Sequence, residues 1–431
     1  MINHKYVNRE PSPMKKFEVR DLKLAEQGKK NVDLARRRMG SLMKIKARFT
    51  KEKPFKDLTI GLALHVTKET AILVEALRAG EAKIFITGCN PLSTQDDVAA
   101  YLAKEGVNVY AHKGESHADY YRYLGYVIAS KPDITIDDGC DLVSEIHKNH
   151  RGLLSKLIGG TEETTTGVIR LRAMERDKAL KYPVIAVNDN NTKHLVDNYY
   201  GTGQSTLDGI MRSSNILFAG KTVVVVGYGD CGKGVALRSK GMGANVIVCE
   251  VDHFKALQAY FDGFRVIPMA DACKLGDIFI TVTGDINVVA KPHFSYLKDG
   301  AVLANSGHFD VEIQIKALEK LAVKKRNIRP NFDEYILPNG RTVYLAGEGR
   351  LINLAAAEGH PSEIMGLSFC GQALACEYLV KNRGKFSPRV YTLPPELDYE
   401  IAKIALDSFG VKIDKLTPEQ VKYLSSWKEG T

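Results

Sequence analysis

No apolar run in this 431-residue chain approaches the ~20 residues that a bilayer crossing requires, so a helical membrane protein is not expected. The opening MINHKYVNREPSPMKK lacks an apolar signal core, which argues for a cytoplasmic protein. The seven cysteines (Cys89, Cys140, Cys231, Cys249, Cys273, Cys370, Cys376) are odd in number, widely spaced and without a CxxC pair. Neither a disulfide framework nor a zinc site follows; the thiols read as free and buried, and no metal is expected. Internal repeats, low-complexity tracts and long linkers are also missing, which excludes solenoids and disordered scaffolds. Nor is there a strong excess of one charge. The 60 basic residues outnumber the 51 acidic ones, but apart from short clusters such as Lys324-Lys325-Arg326 the two signs are interspersed. That is not a nucleic-acid footprint; solvated faces and anionic small ligands account for the net +9.

What is present is the composition of a soluble globular protein, 44% hydrophobic and 26% charged, in a chain too long for one core. Two domains and a small appendage are expected. From about residue 58 to 142, strand-like runs (LTIGLALHV, AKIFITGCN, VNVYAHKG, DITIDDG) alternate with amphipathic helical stretches. A second such series starts near residue 221 with TVVVVGYG and continues through ANVIVCE, FRVIPM, DIFITVTG and AVLANSG. The fold class is therefore α/β with two doubly wound parallel sheets, and Val223 to Val226 read as a central strand buried on both faces. After His360-Pro361 the helical stretch SEIMGLSFCGQALACEYLVKN is long enough to cross back to the first domain, making it discontinuous. The expected division is 1–196 with 358–396 as a substrate domain, 197–357 as a dinucleotide domain, and 397–431 as a helical arm for a partner subunit.

Gly227, Gly229 and Gly232 form GxGxxG where a strand ends and a helix begins, and Glu250 closes the next strand eighteen positions beyond Gly232. Glycines of this kind let backbone N–H groups and a helix N-terminus approach a pyrophosphate, and the acid accepts hydrogen bonds from ribose hydroxyls. Glu250 would repel a 2′-phosphate, which favours NAD over NADP. Elsewhere polar clusters occupy the expected strand-end turns: GLALHVTKET, GCNPLSTQDD, DDGCD, TEETTTG, VNDNNTKHLVDN, NSGHFD and EGRLINLAAAEGHP. Singly, each has a structural explanation as a helix cap, a solvated acid or a satisfied histidine.

In this order and combination, the motifs resemble the S-adenosylhomocysteine hydrolase family along nearly the whole chain, from the N-terminal helical segment to KLTPEQVKYL. The resemblance implies a substrate domain closing on an NAD domain, assembled as a homotetramer. It also implies cleavage of S-adenosylhomocysteine to adenosine and homocysteine by transient oxidation at C3′, which acidifies the C4′ proton and lets the thiol leave from C5′. By the same resemblance Lys193 and Asp197 handle the 3′-hydroxyl proton, with burial helping the lysine to shed its own proton; the alternative is a surface salt bridge on a helix. Asp138, His65 and His308 match the groups near C4′ and C5′. Glu163 holds the ribose together with Thr164, Thr165 and Thr166, which also face the nicotinamide, and Asn188 lies beside them. Asn198, Asp230, Thr283 and Asn353 match further cofactor positions. His360 matches a histidine gating the substrate entrance and touching base and cofactor, and Met365 packs on the purine. Thr67 and Glu69 read the six-substituent of the base; a carboxylate accepts from an amino group and repels an oxo group, so adenine is expected over hypoxanthine.

Two departures stand out. Thr202 replaces a cysteine common in the family, leaving hydrogen bonding but no thiol. The chain stops at SSWKEGT, short of a tail whose lysine and tyrosine reach a neighbour's NAD; Lys422 and Tyr423 precede that tail and do not take its role. Rival readings are an ordinary NAD dehydrogenase, an S-inosylhomocysteine hydrolase, and a catalytically silent NAD-dependent regulator.

Overall fold

The Val and Ile runs form strands covered on both faces: Val223, Val224, Val225 and Val226 are all buried. The computed structural model describes residues 15–428, so most of the polar opening segment and the last three residues of the expected arm lie outside the described residues. The first sheet comprises β1 (Glu18–Val19), β2 (Thr59–Ala63), β3 (Lys83–Thr87), β4 (Asn108–Ala111), β5 (Ile134–Asp137), β6 (Gly159–Glu162), β7 (Val184–Ala186) and β16 (Val390–Tyr391). Their order is β1-β4-β3-β2-β5-β6-β7-β16, and every pairing is parallel.

The second sheet is built from β8 (Thr222–Val226), β9 (Asn245–Cys249), β10 (Arg265–Val266), β11 (Ile278–Thr281), β12 (Ala301–Asn305), β13 (Lys324–Arg329), β14 (Phe332–Ile336) and β15 (Thr342–Ala346), in the order β10-β9-β8-β11-β12-β15-β14-β13. Here an antiparallel edge joins the parallel strands read from the sequence. From β10 to β15 the pairings are parallel, but β14 runs antiparallel to both β15 and β13. The reason is local: Asn339-Gly340, with Gly340 at φ +81°, turns the chain back between β14 and β15. The edge strand β13, KKRNIR, is exposed throughout and guarded by charge, so it carries no apolar alternation by which a sequence reading finds a strand.

Apolar residues pack on both faces of each sheet. The helix Ser362–Lys381 is buried without a break from Gly366 to Glu377, as a helix apolar on all sides must be. It packs against the helices Gly40–Glu52 and Lys68–Ala79 and against β6, and the chain then adds β16 beside β7. The helix Pro395–Ser408, where the expected arm starts, seats on Gly40–Glu52 and Ser362–Lys381. The helix Pro418–Leu424 has no buried residue.

Candidate active site

Both sheets reverse their winding once, the first between β2 and β5, the second between β8 and β11. In doubly wound sheets the crevice beyond the carboxyl ends at that reversal is the ligand site. His65 follows β2, Asp138 follows β5, Gly227 follows β8 and Thr283 follows β11, so the two switch points bring the predicted residues to one place. They share a single cavity of about 1020 Å³, roomy enough for a dinucleotide and a nucleoside together. Every predicted site residue lines this cavity except Gly232 and Asn188.

The three glycines divide their work. Gly227 has φ +107°, a conformation that suits only glycine. A Cβ at Gly229 would meet nothing within 4 Å, so its surroundings are open to a ligand. At Gly232 a Cβ would lie 2.1 Å from the Gly227 carbonyl oxygen. The sequence reading placed Gly232 on the cofactor, but it does not line the cavity and instead lets the helix Asp230–Gly241 press on the loop. The Glu250 carboxylate accepts the amides of Tyr228 at 2.6 Å and Val251 at 2.7 Å, which fixes it at the rim of the loop. Asn353 donates to Ser205 at 3.3 Å, while its Oδ1 is buried with no donor facing it, an acceptor suited to a carboxamide N–H. These features fit NAD.

Lys193 begins a π-helical segment, His194–Gly201. The wider turn lets its ammonium reach two successive residues, Asp197 Oδ1 at 2.8 Å and Asn198 Oδ1 at 2.7 Å. Glu163 Oε1 stands 3.8 Å away. The Lys193 and Asp197 side chains are only 7% and 2% exposed, so the alternative of a surface salt bridge falls. The expectation that burial helps Lys193 to lose its proton is also corrected: desolvation lowers its proton affinity, but Asp197 and Glu163 together outweigh it and hold the ammonium. Asp197 is desolvated too, yet Lys193 and His360 keep its carboxyl well below the usual range. Burial pushes Glu163 up to about 7 despite Lys193 beside it. Its oxygens accept from Ser368 and from Gln372, the latter at 2.5 Å.

His360 Nδ1 lies 3.1 Å from Asp197 Oδ2, and its Nε2 lies 3.3 Å from Thr202 Oγ1. Thr202 also accepts from the Cys231 thiol at 3.5 Å, so hydrogen bonding survives where the family's cysteine is absent. Thr165 donates to Asn188 Oδ1 at 3.2 Å, which the Asn198 amide also reaches. Thr166 faces Gly284 across the cleft.

At the other end, Asp138 stands between two histidines, with His65 Nε2 3.4 Å from Oδ2 and His308 Nδ1 3.5 Å from Oδ1. Burial drives His65 down to about 4, only partly opposed by Asp138, so its imidazole is neutral at pH 7. Cys89 Sγ lies 3.2 Å from His65 Nδ1 and 3.7 Å from Asp138. His65, Cys89 and Asp138 offer one ligand atom each within 4.8 Å of one another, the one such grouping among the described residues. Elsewhere on the cavity wall Thr67 caps the helix Lys68–Ala79, and buried Glu69 accepts from Ser362 at 2.6 Å and pairs with Lys68 at 3.4 Å. Met365 lines the same wall.

Several supporting residues escaped the sequence reading. Glu312 accepts the amides of Thr283 at 2.9 Å and Gly284 at 2.8 Å, and holds the turn that carries Thr283. Ser368 and Gln372, on a helix 205 and 209 residues away from Glu163, have no local signal at all. Cys89 was read only as a buried thiol, which it is, but one beside Asp138.

Comparison with known proteins agrees with the motif resemblance. Residues 16–152 match the family model of S-adenosyl-L-homocysteine hydrolase, and residues 198–359 match that of its NAD-binding domain. An adenosylhomocysteinase of Saccharolobus solfataricus is 56% identical over 96% of this chain and 100% of its own length. An adenosylhomocysteinase of Aquifex aeolicus is 56% identical with the same coverage. An S-inosyl-L-homocysteine hydrolase of Methanocaldococcus jannaschii is 55% identical over 96% of this chain and 100% of its own.

Proposed function

The chain belongs to the S-adenosylhomocysteine hydrolase family, and from that premise we propose that it hydrolyses S-adenosyl-L-homocysteine reversibly to adenosine and L-homocysteine, using NAD bound by its second sheet. One observation carries this reading: in a single cavity, the Lys193–Asp197–His360 chain stands beside the glycine loop while Asp138 stands between two histidines. An ordinary dehydrogenase needs the first group and has no use for the second. A silent regulator would need neither.

Bound NAD supplies reversible acceptance of a hydride from C3′ of the ribose. Gly227, Gly229 and Glu250 would hold its adenosine half, and Asn353, Thr283 and Thr166 its amide end. Asp197 and Glu163 hold the ribose hydroxyls of the substrate. Lys193, kept as an ammonium, donates to O3′ and stabilises charge there, and Glu163, titrating near neutrality, is the adjacent acceptor for the hydroxyl proton. Asp138, His65 and His308 share three transfers: removal of the C4′ proton, protonation of the departing thiolate and activation of water. Neutral His65 can accept a proton at pH 7. Thr67, Glu69 and Met365 hold the base, with His360 between base and cofactor. The Glu69 carboxylate supports an adenine, against the inosine substrate in the name of the M. jannaschii relative.

The substrate unit is 1–196 with 358–396, the NAD unit 197–357, and 397–431 an arm. We also propose a homotetramer in the cytoplasm. The free state of all seven cysteines supports a reducing compartment. Solvent-facing Phe254, Tyr260 and Phe261 on the helix His253–Phe261, together with Trp427 on the arm, support contact with further copies. The decisive experiment follows thiol, adenosine and free NADH together in purified protein given S-adenosylhomocysteine. Equimolar thiol and adenosine without net NADH is the expected result. Net NADH points to a dehydrogenase, and turnover only of the inosine thioether overturns the base assignment.

A further inference from the structure

Asp137 and Glu162 end β5 and β6 and are partners in the parallel ladder. The next residue of each strand, Asp138 and Glu163, lines the cavity. The Asp137 and Glu162 side chains do not line it, and both residues are fully buried. There both carboxyls are given over to backbone. Asp137 accepts the amides of Asp138 at 3.0 Å and Val143 at 2.8 Å. Through Oε1, Glu162 accepts the amide of Thr164 in its own turn at 3.0 Å and that of Gly139 in the neighbouring turn at 2.9 Å.

One oxygen thus ties the turn that carries Asp138 to the turn that carries Glu163. The tied segment is conformationally costly, with Gly139 at φ +105° and Cys140 at φ +65°, and a Cβ at 139 would sit 2.4 Å from His308 Nε2. On its far side Glu162 is clamped by the helix Thr165–Arg176: a Cβ at Gly167 would lie 2.1 Å from Glu162 Cδ. The second oxygen, Oε2, is buried with no hydrogen-bond partner, and two neighbouring buried carboxyls do not both ionise. Of the other charges around the pair, Arg170 and Asp141 pair with each other at 2.7 Å, and Asp138 adds a further negative charge that disfavours an ionised Glu162. Burial first and Asp137 second push Glu162 well above the usual carboxyl range, and burial lifts Asp137 to about 7.

We propose that Glu162, as a neutral acid beside Asp137, is a positioning residue that fixes Asp138 and Glu163 relative to each other. It rests on the reaction assigned above for the meaning of those two carboxyls, and it works through them without touching substrate. The test compares Glu162→Gln and Glu162→Ala in holoenzyme for kcat, KM and bound NAD, and records the protonated-carboxyl stretch in the infrared at neutral pH. Glutamine keeps the accepting oxygen and the neutrality, so kcat should stay within about threefold, whereas alanine frees both turns and should lower kcat about 100-fold with bound NAD unchanged. One component of the infrared band should be lost in Glu162→Gln and remain in Glu115→Gln, a control at another buried acid whose own carboxyl is raised by burial. Glutamine as slow as alanine, alanine as fast as wild type, or no band sensitive to Glu162→Gln would each overturn the proposal. If the alanine variant does not fold, the glutamine kinetics and the band still decide. The band is read without turnover, so wild-type protein that shows it but leaves S-adenosylhomocysteine intact would sink the reaction and not the pair.

Discussion

Asp197→Asn removes one charge from the buried pair at the centre of the site while leaving its shape. The ammonium and carboxylate are 2.8 Å apart and nearly inaccessible. Removing one partner of such a pair leaves the other charge stranded, which costs 3–5 kcal/mol as a rule, and the lower end, about 3 kcal/mol, applies here. Lys193 keeps Asn198 at 2.7 Å and Glu163 at 3.8 Å, and asparagine opens no cavity. The sign of the pH dependence follows from the depressed Asp197 carboxyl: its contribution is complete above the unfolded carboxyl value of ~4 and fades as pH falls toward the folded one. Unfolding of holoenzyme should therefore show a wild-type advantage of about 3 kcal/mol that is flat from pH 5 to 8 and narrows by about 1.4 kcal/mol per unit below pH 4. Reduction of bound NAD by adenosine should slow by about 10²–10⁴-fold in the variant. A difference below about 0.5 kcal/mol at pH 7, in the range of exposed pairs, would refute the reasoning, as would one that does not narrow in acid.

Glu69→Gln should cut the kcat/KM preference for the adenosyl over the inosyl thioether by about 10–100-fold, because an amide donates to a six-oxo group as readily as it accepts from an amino group; an unchanged ratio would place base recognition elsewhere. His65→Ala should leave adenosine-driven reduction of bound NAD intact and slow homocysteine release by about 10²–10⁴-fold, and equal loss in both steps would refute its assignment to the C5′ end. Since wild-type His65 is neutral down to about pH 4, any acid limb of kcat near pH 6 should persist in His65→Asn. Gly232→Ala should lower the NAD content of purified protein while sparing the first sheet's stability, because its Cβ would displace the Gly227 carbonyl; full cofactor retention would count against that packing role.

The legible part of this molecule is the part written in local patterns. Val223 to Val226 announce a strand buried on both faces, the glycine spacing announces the loop after it, and the turns gather at two switch points because parallel strands deliver all their carboxyl ends to one side. What remained hidden has two physical causes. The strand β13 has no apolar face, and an edge strand stabilised by exposed lysines cannot be told from a polar loop by periodicity. The behaviour of Lys193 depends on how many carboxylates converge on one ammonium, a sum over residues that sequence spacing gives only in part. Asp197 is four positions away and was in view; Glu163 arrives from another strand. The same distinction separates Asp138 and Glu163, readable from their motifs, from Asp137 and Glu162, which precede them by one residue. The alternation of a strand assigns one member of each Asp-Asp or Glu-Glu pair to the ligand and the other to the backbone, so the two acidic doublets are a single device: the outer carboxyls do the chemistry that the inner ones hold in register.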